Sequence, residues 1–130
     1  MQLETVTIIL PLPPAILSPN QPPGSLGGRM AKAAAAKKYR RLAKEAALGE
    51  QIASCPWEFV TLDAHFFHKQ KRRRDDVNHL AMLKPAYDGL VDSGLLVDDD
   101  SEHLQTRPAL FSIDRECSRV ELTITRKDTK

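Results

Sequence analysis

Trp57-Glu58-Phe59-Val60-Thr61-Leu62-Asp63-Ala64-His65-Phe66-Phe67 is the stretch on which the fold turns. Aromatic and β-branched side chains suit a pleated, half-buried surface, so residues 57–67 are expected to form a strand. Before it, residues 29–48 are rich in Ala, Lys and Arg and hold neither Pro nor Gly, which predicts a helix that Gly49 can end. After it, Leu80, Leu83, Tyr87, Leu90 and Val91 recur at helical spacing from His79 onward, and Gly94 is placed to stop that second helix. Residues 3–10 alternate and are β-branched, so they read as a strand, ended by Pro11, Pro13 and Pro14, which cannot donate to a sheet ladder. Residues 15–28 read as a loop. Leu95 to Val97 form a short apolar bridge, and residues 105–113 and 119–126 read as two strands. In the last of these, Val120, Leu122 and Ile124 alternate with Glu121, Thr123 and Thr125, the pattern of a strand with one wet face. The order is β-α-β-α-β-β. The expectation is an α+β fold, one domain over residues 1–130, with a small mixed sheet and two helices.

Size and composition narrow the function classes. At 130 residues one domain with a modest core is the default, and 42% hydrophobic with 28% charged residues is ordinary for a soluble globule. No run of 18 apolar residues is present to span a membrane, and the first residues lack the layout of a secretory signal, so a cytoplasmic protein is expected. Cys55 and Cys117 lie far apart in no metal-type spacing and read as two reduced thiols. The net charge of +2 is uninformative, but its distribution is not. Arg29, Lys32, Lys37, Lys38, Arg40, Arg41 and Lys44 share one segment; Lys69, Lys71, Arg72, Arg73 and Arg74 form another; the acids gather in Asp98-Asp99-Asp100 and Glu102. Basic blocks attract polyanions without sequence specificity, although a solvated basic face has the same appearance.

The chemistry concentrates in Arg72-Arg73-Arg74-Asp75-Asp76-Val77-Asn78, where a basic run meets two carboxylates at a strand-to-helix junction. Phosphodiester hydrolysis needs both kinds of group. Cations hold the flanking phosphates, while carboxylate oxygens hold a hard divalent ion that neutralises the reacting phosphate and activates water. Asp98-Asp99-Asp100 could converge on the same ion, or could cap turns and helix ends as aspartate clusters often do.

Here the chain resembles the RusA family of Holliday junction resolvases. That family carries an Arg-rich run, Asp-x-Asp-Asn opening a helix, then a lysine, an aspartate, a glycine and an Asp-Asp pair. This chain reads Arg72-Arg73-Arg74-Asp75-Asp76-Val77-Asn78, Lys84, Asp88, Gly94 and Asp98-Asp99 in that order. The family's opening Leu-Pro-x-Pro-Pro stretch and following Asn are matched by Leu10-Pro11-Leu12-Pro13-Pro14 and Asn20, and its closing strand by residues 120–125. The resemblance implies an endonuclease that resolves four-way DNA junctions using Mg²⁺, for which Mn²⁺ can stand in. It implies Asp75, Asp99 and Lys84 as catalytic groups and Asp75 and Asp99 as metal ligands with Asp98 beside them; Asp76 is this chain's own candidate for a further ligand, and Lys69, Lys71, Arg72, Arg73 and Arg74 are the candidates for holding DNA. Lys84 would stabilise developing negative charge, or be an ordinary exposed helix lysine.

Two departures stand out. Val77 occupies the place of the motif's second aspartate and cannot bind a metal; Asp76 is a substitute only if the backbone turns into the helix there, with Asn78 as its N-cap. The interval from Asn78 to Lys84 is also about one helical turn wider than in the best-known member of that family. The alternative function is therefore a junction- or DNA-binding protein of the same fold with weak or no cleavage. A third reading, different in class, is a small oligomeric protein with capping acids and solvated bases. A single helix from His79 to Gly94 would be roughly 22 Å long, placing Asp75 and Asp99 at opposite ends. Two such helices antiparallel across a two-fold axis would reunite them, so a homodimer is expected. His65, His68, His79 and His103 show no ligand spacing and read as ordinary side chains, and Trp57 and Tyr87 as core or interface.

Overall fold

The computed structural model describes residues 4–19, 24–52, 54–71 and 76–127, with the side chain of Asp76 outside the description. Asn20, Arg72, Arg73, Arg74 and Asp75 lie outside the described residues. In chain order the elements are β1 (Thr5–Leu10), a 3₁₀ turn (Ala15–Leu17), α1 (Leu26–Gly49), β2 (Phe59–His68), α2 (Asp76–Met82), α3 (Lys84–Asp92), β3 (Leu104–Thr106), β4 (Leu110–Ile113) and β5 (Arg119–Lys127). The fold is α+β, with one mixed five-stranded sheet.

Strands β1, β5 and β2 lie side by side and antiparallel, and β3 and β4 both pair parallel with β2. The alternation read from β5 fixes this register. Val6, Ile124 and Leu62 form one row across three strands; Ile8, Leu122 and Ala64 form the next; Leu10, Val120 and Phe66 the third. All nine are buried, and they form the sheet side of the core. A one-residue slip would turn every one of them to the other face, so the pairing is strongly specified. The opposite face carries the rows Thr5–Thr125–Thr61 and Thr7–Thr123–Asp63, which are exposed or half-buried.

Prolines break two of the expected elements. The single helix expected from His79 to Gly94 is instead two, interrupted at Leu83, which sits at φ −84°, ψ 0°. Pro85 is the cause. Inside a continuous helix it would lose one hydrogen bond and press its ring on the preceding turn, whereas in the first turn of α3 it costs nothing. The strand expected over 105–113 is likewise split around Pro108 into β3 and β4. Along β2 the register advances three residues from Leu62 to His65, while the partner advances four from Thr106 to Leu110, so one extra residue bulges out there.

Helix α1 begins a turn earlier than its composition predicts, because the Ser25 hydroxyl accepts a hydrogen bond from the Gly28 amide at 3.1 Å. It buries Tyr39, Ala43 and Ala47 and crosses α3 at backbone contact. A Cβ on Gly89 would fall 2.2 Å from the Arg40 carbonyl oxygen and 2.9 Å from the Ala43 Cβ, so only glycine permits this crossing. Trp57, 2% exposed, holds the far end: its amide donates to the Leu95 carbonyl at 2.8 Å, and its carbonyl accepts from the Val97 amide at 3.2 Å.

Candidate active site

That clamp on Trp57 aims the acidic triplet. After α3, Gly94 turns the chain back at φ +86°, Leu95 and Leu96 bury themselves, and the chain emerges at Asp98. The three aspartates then do three different things. Asp98 is exposed and accepts the Asp99 amide at 2.7 Å. Asp100 accepts the amides of Glu102 and His103, each at 3.0 Å, capping the turn into β3. Asp99 alone turns inward, its side chain only 12% exposed, onto Lys84.

Lys84 is the first residue of α3. Its ammonium donates to Asp99 and, one turn along the helix, to Asp88 at 3.1 Å. The break at Pro85 thus sets Lys84 at a helix start, where the returning loop can reach it. Hydrogen bonding to Asp99 raises the Lys84 ammonium above its ordinary value, burial opposes this, and Asp88 reinforces it. Burial alone would push the Asp99 carboxyl up, but the Lys84 and Asp88 hydrogen bonds prevail and hold it below its ordinary value. Lys84 is therefore a fixed positive charge at neutral pH and not a base.

Next to this cluster Arg40 of α1 grips Asp92 of α3 through two hydrogen bonds of 2.5 and 2.8 Å. Its guanidinium is held above its usual value by Asp92 first, and it also feels the charges of Asp88 and Asp99. Beside Lys84 a groove of about 400 Å³ opens between α1 and the α2–α3 turn, with Arg29 and Lys32 on its other wall. Tyr87 lies buried beneath, and burial and then the Asp99 charge hold its phenol protonated.

The structure brings together Lys84, Asp88 and Asp99, of which the sequence assigned Lys84 and Asp99 to the site. Lys69 and Lys71 are exposed on the segment leaving β2. The expected roles of Asp75 and Arg72–Arg74 fall outside the described residues, and of Asp76 only its place at the start of α2 is described. Val77 is 71% exposed on the first turn of α2. Asn78 is not the expected N-cap: it lies inside α2, and its side-chain oxygen accepts a hydrogen bond from the buried Ser18 hydroxyl at 3.1 Å. The distance reasoning behind the homodimer also changes, because Asp99 does not sit at the far end of one long helix but folds back within its own chain to the start of α3.

Asp88, Arg40 and Asp92 were not assigned to the site from the sequence. A signal existed: Lys84, Asp88 and Asp92 follow at i, i+4 and i+8 on one helix face. The histidines have ordinary partners. The His65 ring nitrogen pairs with the Ser112 hydroxyl at 2.6 Å, His103 bonds the Glu58 carbonyl at 2.7 Å, and His68 and His79 pack with Phe66 and Phe111.

Among the described residues no group of three or more carboxylate, imidazole or thiolate ligands lies close enough to hold a metal ion. A hard cation such as Mg²⁺ keeps most of its waters and takes one or two protein carboxylates, and among the described residues Asp88 and Asp99 are the carboxylates that meet at Lys84. No protein-family model matches the chain, and no curated protein matches it in sequence.

Proposed function

We propose that this chain is a metal-dependent, structure-selective endodeoxyribonuclease that resolves four-way DNA junctions in recombination and repair. The observation that carries the reading is the meeting of Lys84 and Asp99. They lie 15 residues apart in sequence, on a helix start and a returning loop, and the resemblance to the RusA family implies a catalytic role for both. A structural ion pair needs no such placement beside a basic groove.

Asp99, with Asp75 or Asp76, would hold Mg²⁺, which neutralises the reacting phosphate and lowers the proton affinity of the attacking water. In the reaction the water oxygen bonds to phosphorus and the bond from phosphorus to the leaving sugar oxygen breaks. Lys84 places a positive charge where negative charge grows on the phosphate and leaving oxygen. The carboxylates of Asp88 and Asp99 keep that ammonium charged and aimed. Arg72, Arg73 and Arg74, with Lys69 and Lys71, hold the flanking phosphates. A homodimer remains part of the proposal, because a two-fold enzyme matches a junction that needs two symmetric cuts. Among the described residues no helix is long and apolar enough to cross a membrane, and a cytoplasmic site of action goes with a DNA substrate.

One observation favours a second reading. Val77 stands exposed where the family carries an aspartate, so a binder that cuts poorly would look the same in the described residues. Incubation of a synthetic four-way junction and a linear duplex with Mg²⁺, for wild type and Asp75→Asn, separates the two. Paired symmetric nicks in the junction alone, lost in Asp75→Asn, are expected. Tight junction binding without nicks in Mg²⁺ or Mn²⁺ would establish the binding-only reading.

A further inference from the structure

Helix α1 carries more positive charge than the site beside it uses. Each helical residue advances about 100° around the axis. Taking the buried Tyr39, Ala43 and Ala47 as the inner side, Lys37, Arg40, Arg41 and Lys44 fall on one flank and Lys38 on the other, while Arg29, about five turns before Ala47 and in line with it, is exposed at the N-terminal end. Arg40 bonds to Asp92, so the basic flank is the one facing α3 and the Lys84–Asp99 pair. Arg29, Lys37, Arg41 and Lys44 are exposed and form no ion pair among the described residues, including with Glu45, one turn after Arg41.

Two concavities mark this flank. At its N-terminal end Arg29 and Lys32 share the groove with Lys84. Towards its C-terminal end Lys37, Arg40, Arg41 and Lys44 surround a shallow depression of about 460 Å³. The cations thus lie in two groups, Arg29 and Lys32 beside Lys84 and then Lys37, Arg40, Arg41 and Lys44, with the alanines at 33–36 between them. From Arg29 to Lys44 the run is roughly 22 Å long. One DNA strand advances about 3.4 Å along the duplex axis per phosphate, so about six phosphates lie alongside it.

We propose that this flank of α1 is a track for the phosphate backbone of one duplex arm, leading the strand to Lys84 and Asp99. The choice of DNA as occupant rests on the function proposed above; the polyanion chemistry rests on the flank alone. The track is separate in sequence from the basic run at 69–74. It reads no bases, so it adds affinity equally for every sequence and makes binding steeply dependent on salt.

The test is binding of fluorescently labelled four-way junction, read by anisotropy in Ca²⁺ across a range of NaCl concentrations. The proteins are wild type, the triple variant Lys37→Gln/Arg41→Gln/Lys44→Gln, and Lys38→Gln as the control on the other flank. All four positions are exposed, and melting curves verify folding. The triple variant is expected to bind roughly 10- to 100-fold more weakly, with a salt slope shallower by about 2–3, while Lys38→Gln stays within about twofold. A triple variant with wild-type affinity and slope overturns the track even if wild type cuts junctions. Wild type that binds without cutting, and loses binding in the triple variant, upholds the track while the nuclease reading fails. Wild type that ignores DNA but binds vesicles containing phosphatidylserine overturns the track in favour of a membrane surface.

Discussion

Replacing Gly89 with alanine tests the helix crossing on which the site is built. In an ordinary helix interior Gly→Ala stabilises by up to about 1 kcal/mol. Here the added Cβ would lie 2.2 Å from the Arg40 carbonyl oxygen, 2.9 Å from the Ala43 Cβ and 3.0 Å from the Lys44 amide nitrogen. Comfortable contacts between carbon atoms begin near about 3.5 Å, so α1 and α3 must part by roughly 1 Å. Two of the three obstacles are backbone atoms and cannot rotate aside. Overpacking of this kind costs typically about 1–3 kcal/mol, and a rigid obstacle places it in the upper half of that range. The net expectation is a loss of about 1–3 kcal/mol. For a chain of this length that lowers Tm by roughly 4–12 °C. The control is Gly27→Ala in the first turn of α1, whose nearest neighbour would be the Ser25 hydroxyl at 3.9 Å. That variant is expected to melt at or slightly above wild type. Thermal melts followed by far-UV circular dichroism give both numbers. Gly89→Ala melting at or above wild type would refute the close crossing, and with it the placement of Arg40 and its basic flank against α3.

Other expectations follow from the site. The Asp99 carboxyl, followed by NMR, is expected to titrate below its ordinary 3.8 in wild type and higher than in wild type in Lys84→Met, where burial is left with less opposition; an unchanged titration would show that Lys84 does not contact it. Because the folded Asp99 value is lowered, its contribution to stability is present above the ordinary carboxylate range and is lost as pH falls through the folded value. The folded Lys84 value is raised above 10.5, so its contribution is complete below that and is lost as pH rises through the folded value. Lys84→Met is therefore expected to flatten both limbs of the stability–pH curve, and two unaltered limbs would count against the pair. Val77→Asp changes an exposed side chain and is expected to leave stability within about 0.5 kcal/mol and to cut the junction at least as fast as wild type; a large loss of stability would contradict the exposed placement.

Much of the fold was legible because its signals are local. The alternation in β5 specified the wet and dry faces, and the composition of residues 29–48 specified α1, short only of the turn that Ser25 caps. The breaks at Leu83 and after Thr106 were also written locally, in Pro85 and Pro108. They go unseen when apolar spacing alone is followed, since Leu80, Leu83, Tyr87 and Leu90 keep their inward positions across the break. What the sequence did not reveal is non-local. Nothing near Gly89 shows that another helix will press on it. Nothing in Asp98-Asp99-Asp100 shows which aspartate turns inward, because Trp57, 42 residues earlier than Asp99, sets the direction in which the loop leaves. The same return of the chain corrects one premise of the length argument for a dimer, that Asp99 lies at the end of one straight helix; Asp75, its other end, lies outside the described residues.

The central claim is that Asp99 and Lys84 belong to a junction-cutting site. Single-turnover incision of a four-way junction in Mg²⁺ tests it most directly, with wild type beside Asp99→Asn and junction affinity measured separately in Ca²⁺. Wild type is expected to place paired nicks near the crossover. Asp99→Asn is expected to bind within about threefold of wild type and to cut at least about 100-fold more slowly, the size of loss typical when one catalytic group is removed. Incision at the wild-type rate by Asp99→Asn, or no incision by wild type in Mg²⁺ or Mn²⁺, would contradict it.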